Sequence, residues 1–69
     1  MGVTMKGLVD FVQFKKSKPN KSWGIISGED CKMYWFSLTG LNVKVGDSVT
    51  FSGGKDEKGY IATRISVIV

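Results

Sequence analysis

Trp23-Gly24-Ile25-Ile26-Ser27-Gly28-Glu29-Asp30-Cys31-Lys32-Met33-Tyr34-Trp35-Phe36 decides the fold. Two short apolar runs flank a turn at Ser27-Gly28-Glu29-Asp30, the signature of a β-hairpin. Trp23, Tyr34, Trp35 and Phe36 lie in this stretch, and Lys15, Lys16, Lys18 and Lys21 precede it. Rings that stack on unpaired bases, set beside ammonium groups that meet phosphates, make a platform for single-stranded nucleic acid.

On the N-terminal side, residues 6–14 (Lys-Gly-Leu-Val-Asp-Phe-Val-Gln-Phe) are rich in β-branched and aromatic side chains and lack a helical period. They predict a first strand, with Gly7 as a place for a bend or bulge. Residues 1–5 read as a flexible leader and residues 6–69 as one domain. Residues 15–22 form a loop, because Pro19-Asn20 breaks regular structure and four lysines repel one another. Beside aromatic strands, that loop reads as an arm tracking a phosphate backbone.

Beyond the hairpin, whose strands are expected at 23–27 and 32–36, residues 37–42 are a connection with room for one helical turn. Residues 47–51 form a fourth strand in which Val49 and Phe51 alternate with Ser48 and Thr50, so Phe51 is assigned mainly to the core. Residues 52–59 predict a glycine-rich turn and residues 60–69 a fifth strand. Five strands in a chain this short predict an all-β, five-stranded antiparallel barrel, because closure removes exposed strand edges.

Composition narrows the function. The chain has 69 residues, 42% hydrophobic and 23% charged, too apolar for intrinsic disorder. It has no histidine and one cysteine, Cys31. Without a base for its serines or a cluster of metal ligands, no enzyme, metal or cofactor is expected. A single cysteine forms no internal bridge, so the reducing cytoplasm is the default location. Residues 1–6 have neither the make-up of a signal peptide nor the length of a span, and no membrane partner is expected. A net charge of +4 suits nucleic acid or an acidic protein surface.

Taken together, the segments resemble the cold-shock domain family over residues 7–67. Gly7-Leu8-Val9-Asp10-Phe11-Val12 resembles its opening Gly-x-Val-x-Trp-Phe. Lys21-Ser22-Trp23-Gly24-Ile25-Ile26 resembles its first ribonucleoprotein motif, Lys-Gly-Phe-Gly-Phe-Ile. The second, Val-Phe-Val-His-Phe, falls near residues 33–37. Residues 43–51 resemble Leu-x-x-Gly-x-x-Val-x-Phe, and residues 58–65 resemble Lys-Gly-Pro-x-Ala-x-x-Val. The resemblance implies an OB-type barrel that stacks the bases of single-stranded RNA or DNA on strands one to three, in the manner of an RNA chaperone or a regulator of gene expression.

Carried over by position, the resemblance implies that Phe11, Trp23 and Lys21 contact nucleic acid and that Lys58 lies near a basic position of the last turn. Gly24 would admit a base or a neighbouring backbone. Several positions depart from the family. Ile25 and Val12 replace aromatics, Asp10 stands where a basic residue is frequent, and Ser22 replaces a glycine. The loop at residues 15–22 is also longer. These departures support an alternative, an OB-like module whose outward rings contact a partner protein.

Strand three has two possible registers. One sets Trp35 outward and sends Lys32 toward the core. The other, which keeps Lys32 out of the core, sets Tyr34 and Phe36 outward and buries Met33 and Trp35. The second is slightly favoured, since a buried unpaired lysine is costly. Either way, adjacent strand residues face opposite sides, so Tyr34, Trp35 and Phe36 cannot all be buried. The candidate nucleic-acid site is therefore Phe11, Phe14, Lys15, Lys16, Lys18, Lys21, Trp23, Tyr34, Trp35, Phe36 and Lys58. Nothing marks recognition of a 2′-hydroxyl, so RNA and single-stranded DNA both stand as partners.

Overall fold

In the computed structural model, which describes residues 3–18, 21–38 and 42–68, the chain forms five strands: β1 Val3–Gln13, β2 Trp23–Gly28, β3 Met33–Ser37, β4 Ser48–Asp56 and β5 Gly59–Val67. They close into a barrel in the order β1-β2-β3-β5-β4, which is an OB-type arrangement. Every seam is antiparallel except β3–β5, which is parallel and paired at Trp35 and Ile61. A ring of five strands cannot alternate direction all the way round. One seam must be parallel, and the expected all-antiparallel barrel is corrected at that seam.

The strand ends also differ from expectation. Residues 3–5 are not leader: Val3, Thr4 and Met5 pair with Gly53, Ser52 and Phe51. Met5 packs against the core, which gives this segment an apolar side chain to bury. Residues 1 and 2 lie outside the described residues. Most of the glycine-rich segment after Phe51 is strand, because Gly53 and Gly54 pair with Ala62 and Ile61. Only Glu57 and Lys58 remain as the loop between paired Asp56 and Gly59, the short length that hairpins favour. Pro19, Asn20 and residues 39–41, where a break and a helical turn were expected, lie outside the described residues.

β1 is shared between two neighbours. It pairs with β4 over Val3–Leu8 and with β2 from Gly7 onward. Where the partner changes, Val9 bonds instead to the turn before β4, donating its N–H to Asp47 O (3.0 Å) and accepting from Gly46 N (2.9 Å). The register with β2 then slips: Val9 faces Ile26 and Phe11 faces Ile25, so Asp10 is the extra residue of a bulge. Val9 points inward, Asp10 bulges out, and Phe11 also points outward. A second slip lies between β4 and β5, where Thr50 faces Ser66 and Ser52 faces Thr63. Arg64 occupies it with φ +53°, a left-handed conformation unusual for a residue bearing a side chain.

The core consists of Val9, Ile26, Tyr34, Phe36, Leu38, Val49, Phe51 and Ala62, with Met5, Val12, Val43 and Ile65 packed against it. Phe51 is fully buried, as its alternation with serine and threonine predicts. Two glycines make room for the large rings. A Cβ on Gly24 would stand 2.5 Å from Phe11 O and 2.7 Å from Phe36 Cε1. A Cβ on Gly7 would stand 2.7 Å from Phe51 Cε1 and 2.6 Å from Ile26 Cγ2. Gly7 therefore admits close packing, and the bulge falls three residues later, at Asp10.

Backbone cannot retreat from a new methyl group as a flexible side chain can. Gly24→Ala should therefore lower stability by about 1–3 kcal/mol. Gly54→Ala, whose Cβ would meet nothing nearer than Ile61 Cγ1 at 3.9 Å, should stay within about 0.5 kcal/mol of wild type. Urea unfolding midpoints compare the two. Equal midpoints would mean that the close approach at Gly24 does not limit the packing.

Candidate nucleic-acid interface

β3 fixes which rings reach solvent. Tyr34 is 4% exposed and Phe36 fully buried, whereas Trp35 is 45% and Met33 53% exposed. This is the register opposite to the one slightly favoured on sequence grounds. Tyr34 and Phe36 are core residues, and Trp35 with Met33 faces outward. The argument from Lys32 fails because β3 begins only at Met33. Lys32 belongs to the preceding turn, where Cys31 adopts φ +66° and Gly28 N donates to Lys32 O (2.8 Å). There the Lys32 side chain is exposed, with Nζ 5.0 Å from the centroid of the Tyr60 ring.

Tyr34 suits its buried place because its polar end reaches the rim. The ring packs 5.0 Å, centroid to centroid, from Phe51, and its hydroxyl donates to Asp30 Oδ2 at 2.6 Å. The other carboxylate oxygen accepts the N–H of Lys32 (3.2 Å). The Tyr34 hydroxyl, and then the Lys32 N–H, hold the Asp30 carboxyl below its ordinary range. The same bond to Asp30, with burial adding to it, pushes the Tyr34 phenol up to about 12.

Cross-strand pairing sets out the outer face. One row runs Phe11–Ile25–Trp35–Ile61 and a second runs Gln13–Trp23–Ser37. The bulge at Asp10 brings Phe11 into the first row. Phe11 is 44% exposed, and its ring lies 5.3 Å from that of the half-buried Trp23. Trp35 stands two strands from Phe11, roughly 10 Å at ordinary strand spacing. The structure thus groups Phe11, Trp23 and Trp35 on one face, joined by Ile25 and Met33. The sequence reading places Ile25 at a platform position from which an aromatic is lost, and the register it slightly favours buries Met33. Alternation outward from Trp35 was the signal that contained Met33.

The lysine loop opens beside this face, since it joins the ends of β1 and β2 where Gln13 pairs with Trp23. Phe14, Lys15, Lys16, Lys18 and Lys21 are all exposed. The loop is tied down at its base. The buried Ser22 hydroxyl accepts the N–H of Lys15 (2.8 Å), and the Ser22 carbonyl accepts the N–H of Leu38 (3.0 Å). Lys21 N donates to Lys18 O (2.9 Å). Lys58 is exposed on the other side of Trp35, in the β4–β5 turn, where it helps to line a cleft of about 440 Å³. Gly24 faces inward. The close neighbours it admits are the Phe11 backbone and the Phe36 ring, not a base.

Asp10, exposed on the bulge next to Phe11, places one carboxylate at the margin of the patch. No three potential metal ligands from His, Cys, Asp and Glu cluster among the described residues, and none of those residues forms a helix long and apolar enough to cross a membrane. Comparison with protein-family models and with curated proteins found no match.

The Tyr34–Asp30 bond yields a pH signature for the strand that presents Trp35. Asp30 is lowered, so its contribution is present above pH 3.8 and is lost as pH falls through its folded-state value. Tyr34 is raised, so its contribution is full below pH 10 and is lost as pH climbs toward about 12. The difference in melting temperature between wild type and Tyr34→Phe should be greatest between those limits and should shrink beyond each. A difference that stays constant from acid to alkali would show that the bond adds nothing to stability.

Proposed function

We propose that this barrel is a binder of single-stranded nucleic acid, of the cold-shock kind. It would stack unpaired bases on Phe11, Trp23 and Trp35 and hold the backbone with Lys15, Lys16, Lys18 and Lys21. The observation that carries the reading is the grouping of these three rings on the outer face of β1–β3, at the mouth of the lysine loop. In a chain of 69 residues, large aromatics are needed inside. Rings kept outside in one group, beside cations, fit a task at the surface better than a task in the core.

The energetics are adequate. Three stacked bases at about 1–3 kcal/mol each, with a few phosphate contacts, reach about −8 kcal/mol, which is micromolar affinity. Such a protein loosens weak RNA secondary structure without ATP, because binding only the unpaired strand draws the equilibrium toward it. Regulation of gene expression through exposed RNA segments would follow from the same selectivity.

A second reading, a protein-binding barrel, draws on Met33 and Ile25, aliphatic members of the same face, and on Asp10 at its margin. The lysine loop favours nucleic acid over it. A partner protein retained after nuclease treatment and in high salt would reverse that preference.

Titration with a pyrimidine-rich oligonucleotide should quench tryptophan fluorescence, and the logarithm of affinity should fall with the logarithm of salt with a slope of about −3 for four lysine–phosphate contacts. Trp35→Ala and Phe11→Ala should each weaken binding by about 1–3 kcal/mol, while Tyr34→Phe, which removes only the hydroxyl bonded to Asp30 and leaves the outward rings in place, should bind as wild type does. An unchanged spectrum at low salt would overturn the proposal.

A further inference from the structure

The cleft beside Trp35 contains a carboxylate that stacking does not use. The cleft is lined by Trp35, Asp56, Lys58, Gly59, Tyr60 and Ile61 and has a volume of about 440 Å³. Asp56 Oδ1 accepts two backbone N–H groups of its own turn, from Lys58 (2.9 Å) and Gly59 (3.1 Å). Those bonds fix the carboxylate and occupy both acceptor positions of that oxygen. Oδ2 has no partner among the described residues. Cations border the cleft: Lys58 lines it, and Lys32 Nζ and Lys55 Nζ stand 5.0 and 5.5 Å from the Tyr60 ring centroid.

We propose that this cleft holds one unpaired base stacked on Trp35, and that the free oxygen of Asp56 selects a base carrying an exocyclic amino group over uracil or thymine. The inference rests on the nucleic-acid reading and adds an edge contact to it. An ionised carboxylate only accepts hydrogen bonds. The N4 amino group of cytosine is a matching donor, as is N6 of adenine. Uracil and thymine present O4 there, so acceptor would face acceptor. Their N3–H is flanked by two carbonyl oxygens and reaches the carboxylate only alongside that repulsion. Stacking tolerates every base, so any preference between cytosine and uracil at this position comes from the edge. The lysines around the cleft offset the repulsion between Asp56 and phosphate without distinguishing bases.

The test compares the affinities of deoxycytidine and deoxyuridine homo-oligonucleotides of equal length, read by tryptophan quenching at neutral pH. This pair shares one sugar and differs at the base edge. Wild type should favour the cytosine strand by about fivefold, the scale of one partly exposed hydrogen bond to a charged group. Asp56→Asn keeps an oxygen for the turn and replaces the free oxygen with a donor, so the ratio should fall to about one or invert. Trp35→Ala, which removes the stacking surface of the cleft, should also bring the ratio to about one. Lys58→Gln should weaken both strands equally and leave the ratio in place. Equal wild-type affinities, or a preference that survives Asp56→Asn, would overturn the edge contact while leaving the stacking platform standing. Failure to bind either strand would overturn the platform and this contact with it.

Discussion

Phe36 lying against Gly24 sets the phase of the hairpin. The two residues pair across β2 and β3, and the ring occupies the space a Cβ on Gly24 would take. With Phe36 inside, alternation leaves no choice for its neighbours. Tyr34 goes in, while Met33, Trp35 and Ser37 go out. The outer face is thus decided from the inside, by a ring that needs a position on β2 with no side chain. Ile25, opposite Trp35, then lies outward between two aromatic neighbours instead of adding to the core.

β1 reaches the same face by a different device. Alternation from the inward Val9 would turn Phe11 inward, on top of the space held by Gly24 and Phe36. The extra residue at Asp10 reverses the phase, so Phe11 emerges beside Trp23 and Val12 packs against the core. A charged residue suits the bulge, since it must stand in solvent. The carboxylate that looks unfavourable for binding phosphate has a structural reason to be polar at that position.

Much of this was legible in the sequence. The order of strands, the central hairpin and the burial of Phe51 follow from turn residues and period-two alternation. Closure follows from the shortage of residues to protect open edges. The phase of β3 was not legible, because Met33, Tyr34, Trp35 and Phe36 are all large and apolar enough for either face. Lys32 was the one discriminating neighbour, and the turn at Cys31 removes it from the alternation. The bonds that break the tie join Tyr34 to Asp30 and seat Phe36 on Gly24. Both are contacts between side chains and a turn or a neighbouring strand, and neither appears as a period. The early start of β1 was hidden for a related reason: its partner, Gly53-Ser52-Phe51, overlaps a stretch whose glycines read as turn.

Ser22 shows how a departure from a motif can add a function to the scaffold. Where the resemblance has glycine, the serine hydroxyl is buried and accepts the Lys15 N–H, while its carbonyl accepts the Leu38 N–H. The long lysine loop is therefore clamped at its base to the end of β3. A loop of mutually repelling cations would otherwise spread away from the barrel, and ordering it on a ligand would cost conformational entropy. Fixing the base shortens the free length and keeps the charges near Trp23. Loss of the Ser22 hydroxyl would leave the part-buried N–H of Lys15 without this acceptor and free the loop at the same time. On this account Ser22 connects the barrel interior to the placement of positive charge outside it.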